Sequence, residues 1–565
     1  MSWWDDLWLN EGFASWCENY ATNELYPDYK LWDQFTVDAL SHAMRLDSLR
    51  SSHPIQVPIR HAVEVEQVFD AISYCKGASV VRMCAAVLGM ENFQKGLQAY
   101  MKEFAYKNTE TFDLWQAWQT ASGMPVAELM ASWTEQMGFP YVKITNEDWK
   151  DDSVTLELEQ AWFLADGGDE STMTEEEKAK TWAIPIMTCT KSGVSPDVVL
   201  MREKTATITL KLDGADDWVK LNAGQQVPMR VLPTRTMIKR LEPAIQSKAL
   251  SAIDRASLVN DAYALVKAGQ MSPSDLIEVL VNYKDEGDYI VWNSLSAALN
   301  GLDSVLSDDE GVSAKFQEFA KSLILPLVEK VGWSATDSDD HLTTLLRGVM
   351  INLLSSFCAS DKAVQTEAKR RFDLFWENPM DVDALPSDYR ASVFSIVLQN
   401  GGASLYHQIK SYYTKAHNNA ESKLVLNSLG SIADPALKWA TMEWSTSGEI
   451  KLQDFFYLMG SVSRSNKVGR DIAWKYFQEN FEKIKSMLTS ASPSLMNAVI
   501  VLCCGGGASH EKANAVEDFF KANPVVGSDR RVAQTVEGLR ANAKFFDALM
   551  ASPLKTQEDF WSTIV

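Results

Sequence analysis

Glu11 is the first side chain in this sequence with the chemistry to hold something. It lies in Met1-Ser-Trp-Trp-Asp-Asp-Leu-Trp-Leu-Asn-Glu-Gly-Phe-Ala-Ser-Trp-Cys-Glu-Asn-Tyr20. At the helical repeat, Leu9, Phe13, Trp16 and Tyr20 make one apolar face, and Leu7, Glu11, Ala14, Glu18 and Leu25 a narrower stripe opposite. A helix apolar on two sides is usually buried, which makes Glu11 a buried carboxylate in need of a cation. The competing reading puts Glu11 and Glu18 on a solvated face, and periodicity alone favours it. Tyr74, taken alone, is a core or half-buried aromatic. The histidines at 42, 53, 61, 341, 407, 417 and 510 include no i, i+4 pair beside a Glu. Cys503-Cys-Gly-Gly-Gly507 has neither C-x-x-C spacing nor the Lys-Ser/Thr of a phosphate loop. Lys369-Arg-Arg371 is too short a basic run to mean more than a solvated face.

Longer blocks change the balance. Trp3-Trp-Asp-Asp-Leu-Trp-Leu-Asn-Glu-Gly-Phe-Ala-Ser-Trp16 resembles the segment that carries the third zinc ligand in the gluzincin aminopeptidases, of the puromycin-sensitive or cytosolic alanyl type. Glu64-Val-Glu-Gln-Val-Phe-Asp-Ala-Ile-Ser-Tyr74-Cys-Lys-Gly-Ala78 resembles the family's E-V-x-x-x-F-D-x-I-S-Y-x-K-G-A block, and Ser52-His-Pro-Ile55 its S-H-P-I turn. The resemblance implies a zinc-dependent aminopeptidase that removes amino-terminal residues from peptides. It implies Glu11 as a metal ligand and Tyr74 as the phenol that donates to the oxyanion of the tetrahedral intermediate. In the family the other ligands come from H-E-x-x-H, whose second His would fall about nine residues before Met1, and a G-A-M-E-N segment lies further upstream. The expectation is therefore the C-terminal part of an aminopeptidase, inactive by itself for want of two ligands and the general base. The alternative is a non-catalytic peptide- or protein-binding protein built on a helical solenoid.

These residues need elements to position them. Residues 1–140 read as helices, which the resemblance makes the C-terminal helical part of a thermolysin-like catalytic domain. In them Phe69, Ile72, Val80, Met83 and Val87 are expected to supply buried contacts, and Asp70, Tyr74 and Ala78 to share another face. Gly77 costs a helix about 1 kcal/mol relative to Ala, so close packing is expected around it. Gly138 and Pro140 end the helical region. Periodicity then turns toward two at Val142/Ile144, Val154/Leu156/Leu158, Ile184/Ile186 and Ile208/Leu210, which predicts a small β-sandwich over 141–235. Inside it, Asp166–Glu177 reads as an acidic surface loop. Gly224-Gln-Gln-Val-Pro-Met-Arg230-Val231 departs from the family's G-x-x-G-Y-Y-R-V: arginine and valine remain and both aromatics are gone, so altered packing is expected there. From 236 to 565 helix follows helix, including 254–268, 288–306, 313–330, 341–358, 388–399, 468–487 and 512–521. The predicted class is thus multidomain α+β: a helical catalytic remnant, a β-sandwich, and a HEAT- or armadillo-like solenoid resembling the C-terminal domain of endoplasmic-reticulum aminopeptidases.

Composition bounds the partners. The chain has 565 residues and a net charge of −22, which argues against a nucleic-acid backbone as ligand. No run of eighteen apolar residues predicts a membrane span. Seven cysteines without paired spacing point to a reducing compartment, and the cytosol is the expected location. Peptides are the expected partners, and nothing in the sequence sets the oligomeric state.

Overall fold

The computed structural model describes residues 1–168, 171, 173–381, 383–488, 491 and 493–564, apart from the side chain of Val63. The chain divides into two compact units, one of Met1–Glu286 with Asn293–Leu295, the other of Gly287–Trp292 with Ser296–Val565. Among the described residues no single helix is long and apolar enough to cross a membrane.

The first unit opens with a 3-10 turn at Trp4–Asp6 and a long helix, Trp8–Leu25. Asp5 and Asp6 do not cap that helix, whose preceding residue Leu7 makes no side-chain cap bond. They tie distant loops instead. Asp5 accepts from the Ile59 amide at 2.7 Å, and Asp6 accepts from the Thr111 hydroxyl at 2.6 Å. Thr111 in turn accepts from the Trp8 indole at 2.9 Å, so the chain's start is fixed by buried polar bonds. Behind them lies an aromatic core. Trp8 stacks on Trp115, Trp16 on Tyr20, and Phe93 on Trp118, with ring centroids 5.4, 5.0 and 4.7 Å apart.

Among the described residues nine strands follow: β1 (Pro140–Trp149), β2 (Ser153–Trp162), β3 (Ile184–Ile186), β4 (Thr188–Thr190), β5 (Gly193–Val194), β6 (Val199–Met201), β7 (Thr205–Lys211), β8 (Lys220–Leu221) and β9 (Arg230–Leu232). They form sheets ordered β7-β2-β1-β9, β3-β6 and β5-β4-β8. The β1–β2 hairpin is antiparallel, with Ile144 opposite Leu158, and β9 lies parallel to β1 with Tyr141 opposite Arg230. The alternating residues Val142, Ile144, Val154, Leu156, Leu158, Ile184, Ile186 and Ile208 are all buried. They join one continuous core with Trp8, Ile72, Val80, Met83 and, from the helix Ala252–Lys267, Leu265. The acidic stretch read at 166–177 lies partly outside the described residues, at 169, 170 and 172. Its described ends are anchored, since Arg50 pairs with both Asp166 and Glu177.

The altered stretch before β9 is a buried junction. Pro228 and Met229 are buried where the resembled pattern has its two aromatics. Arg230 pairs with Asp261 at 3.0 Å, both buried, and Asp261 also accepts from the Val231 amide. Arg82 donates to the carbonyls of Gln225 and Gly224 at 2.8 and 3.2 Å.

The second unit is helical throughout its regular elements. Helices run over Glu310–Val331, His341–Phe357, Lys362–Glu377, Arg390–Gln399, Lys467–Glu479, Phe481–Met487 and His510–Ala522, among others. The single helix expected over 468–487 is two, parted at Asn480, which has non-helical φ/ψ. Asparagine suits that break because its side chain competes for the helix's own bonds. Here its amide donates to the carbonyl of Tyr476, one turn back, at 3.1 Å. Trp561 near the C-terminus packs against Phe316 and Phe319 and donates to the Leu554 carbonyl at 2.9 Å.

Candidate active site

Glu11 lies in the first turns of the helix Trp8–Leu25, and Tyr74 in a short π-helical turn, Ile72–Lys76, that runs into the helix Gly77–Leu88. The structure brings the two side chains near each other, close enough for the Glu11 carboxylate to act on the Tyr74 phenol. Both side chains are half-buried, so Glu11 is neither deep in the core nor on a fully solvated face. Burial, then the neighbouring Glu11 carboxylate, push the Tyr74 phenol above its ordinary value. Tyr74 is thereby kept as a neutral donor.

Two glycines make this approach possible. A Cβ on Gly12 would sit 2.9 Å from both the Gly77 Cα and the Ser73 carbonyl oxygen, and one on Gly77 would sit 3.1 Å from the Gly12 Cα. The two helices therefore cross backbone to backbone at the residues next to Glu11 and just after Tyr74. Close packing at Gly77 is as expected from the sequence; its partner Gly12 is not recognisable there, because a pair of glycines in separate segments has no spacing to read. Gly12→Ala would ordinarily favour a helix by about 1 kcal/mol. Here overpacking costs about 1–3 kcal/mol, so the expected result is a lowered unfolding temperature in calorimetry. A raised unfolding temperature would refute the close crossing.

The π turn breaks the register in which Asp70, Tyr74 and Ala78 were expected to share a face. Its mark is the Lys76 amide bonding to the Ala71 carbonyl, five residues back, at 2.9 Å. Ala78 is buried outright. Phe69, expected in the core, is 44% exposed and lies with its ring 6.4 Å from that of Tyr74. The turn before it ends at Val68, and Phe69 falls outside both helices. Ile72, Val80 and Met83 are buried as expected, and Val87 is half-buried.

Charged residues around the site hold it in place. Lys76 is buried and pairs with buried Asp47 at 2.7 Å, while donating to the Gly138 carbonyl at 2.9 Å. Asp47 also accepts from the Gly138 amide at 3.0 Å. The tyrosine turn is thereby fastened to the residues that lead into β1. His53 meets the Pro54 carbonyl with Nδ1 at 2.7 Å and the Asp70 carboxylate with Nε2 at 3.0 Å. Although burial raises Asp70, the His53 hydrogen bond and charge bring its carboxyl below the ordinary value. The nearby thiols are no nucleophiles: burial pushes Cys17 and Cys75 up, and the Asp70 charge adds to this at Cys75.

The site contains one carboxylate suited to a metal. Among the described residues no three His, Cys, Asp or Glu side chains converge to hold an ion. A catalytic zinc takes three protein ligands, so these residues do not fit a whole zinc site.

Known proteins bear on both ends of the chain. Residues 1–133 match the Peptidase family M1 domain, and residues 218–541, more than half of the chain, match the ERAP1-like C-terminal domain. The chain is 34% identical to Aminopeptidase M1 of Arabidopsis thaliana, over 99% of this chain and 63% of that protein. It is 33% identical to Aminopeptidase M1-A of Oryza sativa subsp. japonica, over 98% and 61%. It is 32% identical to the alanine/arginine aminopeptidase of Saccharomyces cerevisiae, over 96% and 61%. The chain spans about three fifths of the length of these relatives.

Proposed function

Since the chain belongs to the M1 peptidase family, we propose that it supplies part of the active site of a zinc-dependent aminopeptidase acting on the amino-terminal residues of peptides. The observation that carries this reading is the close crossing at Gly12 and Gly77, which brings Glu11 and Tyr74, residues of separate motifs, near each other. Glu11 is the one metal ligand this chain contributes, and zinc when bound would supply a Lewis acid. Tyr74 is a neutral donor held next to that carboxylate. It can donate to the oxygen on which charge develops when water adds to a peptide carbonyl. The two histidines and the general base belong to a segment bearing H-E-x-x-H. Residues 1–140 are the helical part of the catalytic domain in this reading, 141–235 the β-sandwich, and 236–565 a solenoid of stacked helices that offers a peptide-binding surface. The cytosol remains the proposed location.

For the 565-residue chain the consequence is direct. After dialysis it should hold no stoichiometric zinc and should not cleave an aminoacyl reporter. About one zinc per chain, removed by Glu11→Ala, would show that the ligand set has been misread.

A further inference from the structure

A π turn is a rare way to carry a side chain, and its amides need acceptors that an ordinary helix would not supply. Around Tyr74 the structure shows what does. The Asp70 carboxylate accepts from the Ile72 amide at 2.9 Å. The Asp70 main-chain carbonyl accepts from the Tyr74 amide at 3.2 Å. One residue thus takes the amides of both Ile72 and Tyr74 at the start of the turn, donors that would otherwise lack partners. The Ser73 hydroxyl adds a bond back to the Val68 carbonyl at 2.6 Å.

Asp70 is itself held from outside the turn. Its second carboxylate oxygen faces His53 Nε2, and His53 cannot swing away because Nδ1 bonds to the Pro54 carbonyl. His53 is 3% exposed, and proline fixes the backbone that follows it.

We propose that His53 and Asp70 are positioning residues: through the clamped π turn they set the place of the Tyr74 hydroxyl relative to Glu11. Neither touches substrate or metal. The inference rests on the reading of Tyr74 as the oxyanion donor only for its consequence in catalysis, not for the clamp itself.

Amide hydrogen exchange on the 565-residue chain tests the clamp without any activity. Asp70→Ala removes the acceptor for Ile72 and leaves His53 Nε2 without its partner. Bonds to a charged acceptor of this kind correspond to about ten- to a hundred-fold in a local opening equilibrium. Exchange at Ile72, Ser73 and Tyr74 should speed up by that factor, with the amides of Gly77–Leu88 unchanged. Asp70→Asn should recover most of the protection, because its oxygen can still accept from Ile72 and its amide can donate to His53 Nε2. His53→Gln should loosen the same three amides, and it serves where Asp70→Ala does not fold. Unchanged protection in Asp70→Ala or in His53→Gln, or an equal loss throughout Gly77–Leu88, overturns the proposal.

A kinetic arm separates the two readings. In the protein completed with an H-E-x-x-H segment, Asp70→Ala should lower kcat more than it raises KM, and Asp70→Asn should restore it. Faster local exchange with unaltered kinetics would sustain the clamp and overturn the catalytic role of Tyr74.

Discussion

Tyr74→Phe, in the protein completed with an H-E-x-x-H segment, is expected to lower kcat by on the order of 10²–10³ with little change in KM. The substitution deletes one hydroxyl and keeps the ring. Tyr74 is half-buried and its ring neighbour Phe69 is exposed, so little packing depends on the oxygen. In the ground state that hydroxyl lies near half-buried Glu11, and its loss leaves a carboxylate that water can still reach. The large effect therefore has to come from charge that appears only as the tetrahedral state forms. A preorganised donor lost there costs about 2.7–4 kcal/mol. Near-normal turnover with a raised KM would make Tyr74 a binding residue and remove its assigned role.

Lys76→Met should lower stability by about 3–5 kcal/mol, because it strands the Asp47 carboxylate in the core. Asp47 is 1% exposed and Lys76 2%, so neither can reach water when its partner is lost. The Gly138 carbonyl also loses its ammonium donor. Replacing both members of the pair, Lys76→Met with Asp47→Leu, should recover part of the loss, since an apolar pair leaves no buried charge. Calorimetric unfolding of the single and double variants checks this. A single variant as stable as the wild type would mean that the pair is solvated in solution.

The helices and strands were largely legible because each has one dominant face or period. The strands of Val142/Ile144 and Val154/Leu156/Leu158 stand where alternation placed them, in β1 and β2. The expected helix over 341–358 is observed as His341–Phe357. What eluded the sequence was everything that depends on two distant segments meeting. Asp5 and Asp6 look like helix-start residues, and only the fold reveals Ile59 and Thr111 as their partners. Lys76, Asp47 and Gly138 come from three separate stretches, and the one hint is a lysine inside an otherwise apolar block. Arg230 finds Asp261 in the following helical region, which no local pattern announces. At the site, the motifs of Glu11 and Tyr74 can be recognised from sequence, but their proximity cannot. The π turn also defeats any reading that counts residues at a fixed helical period.

The central claim is that Glu11 is a metal ligand and Tyr74 is not. Zinc stoichiometry of the protein completed with an H-E-x-x-H segment tests it, measured for the wild type, Glu11→Ala and Tyr74→Phe after dialysis. About one zinc per molecule is predicted in the wild type and in Tyr74→Phe, with loss of the metal in Glu11→Ala. Zinc retained in full by Glu11→Ala would contradict it.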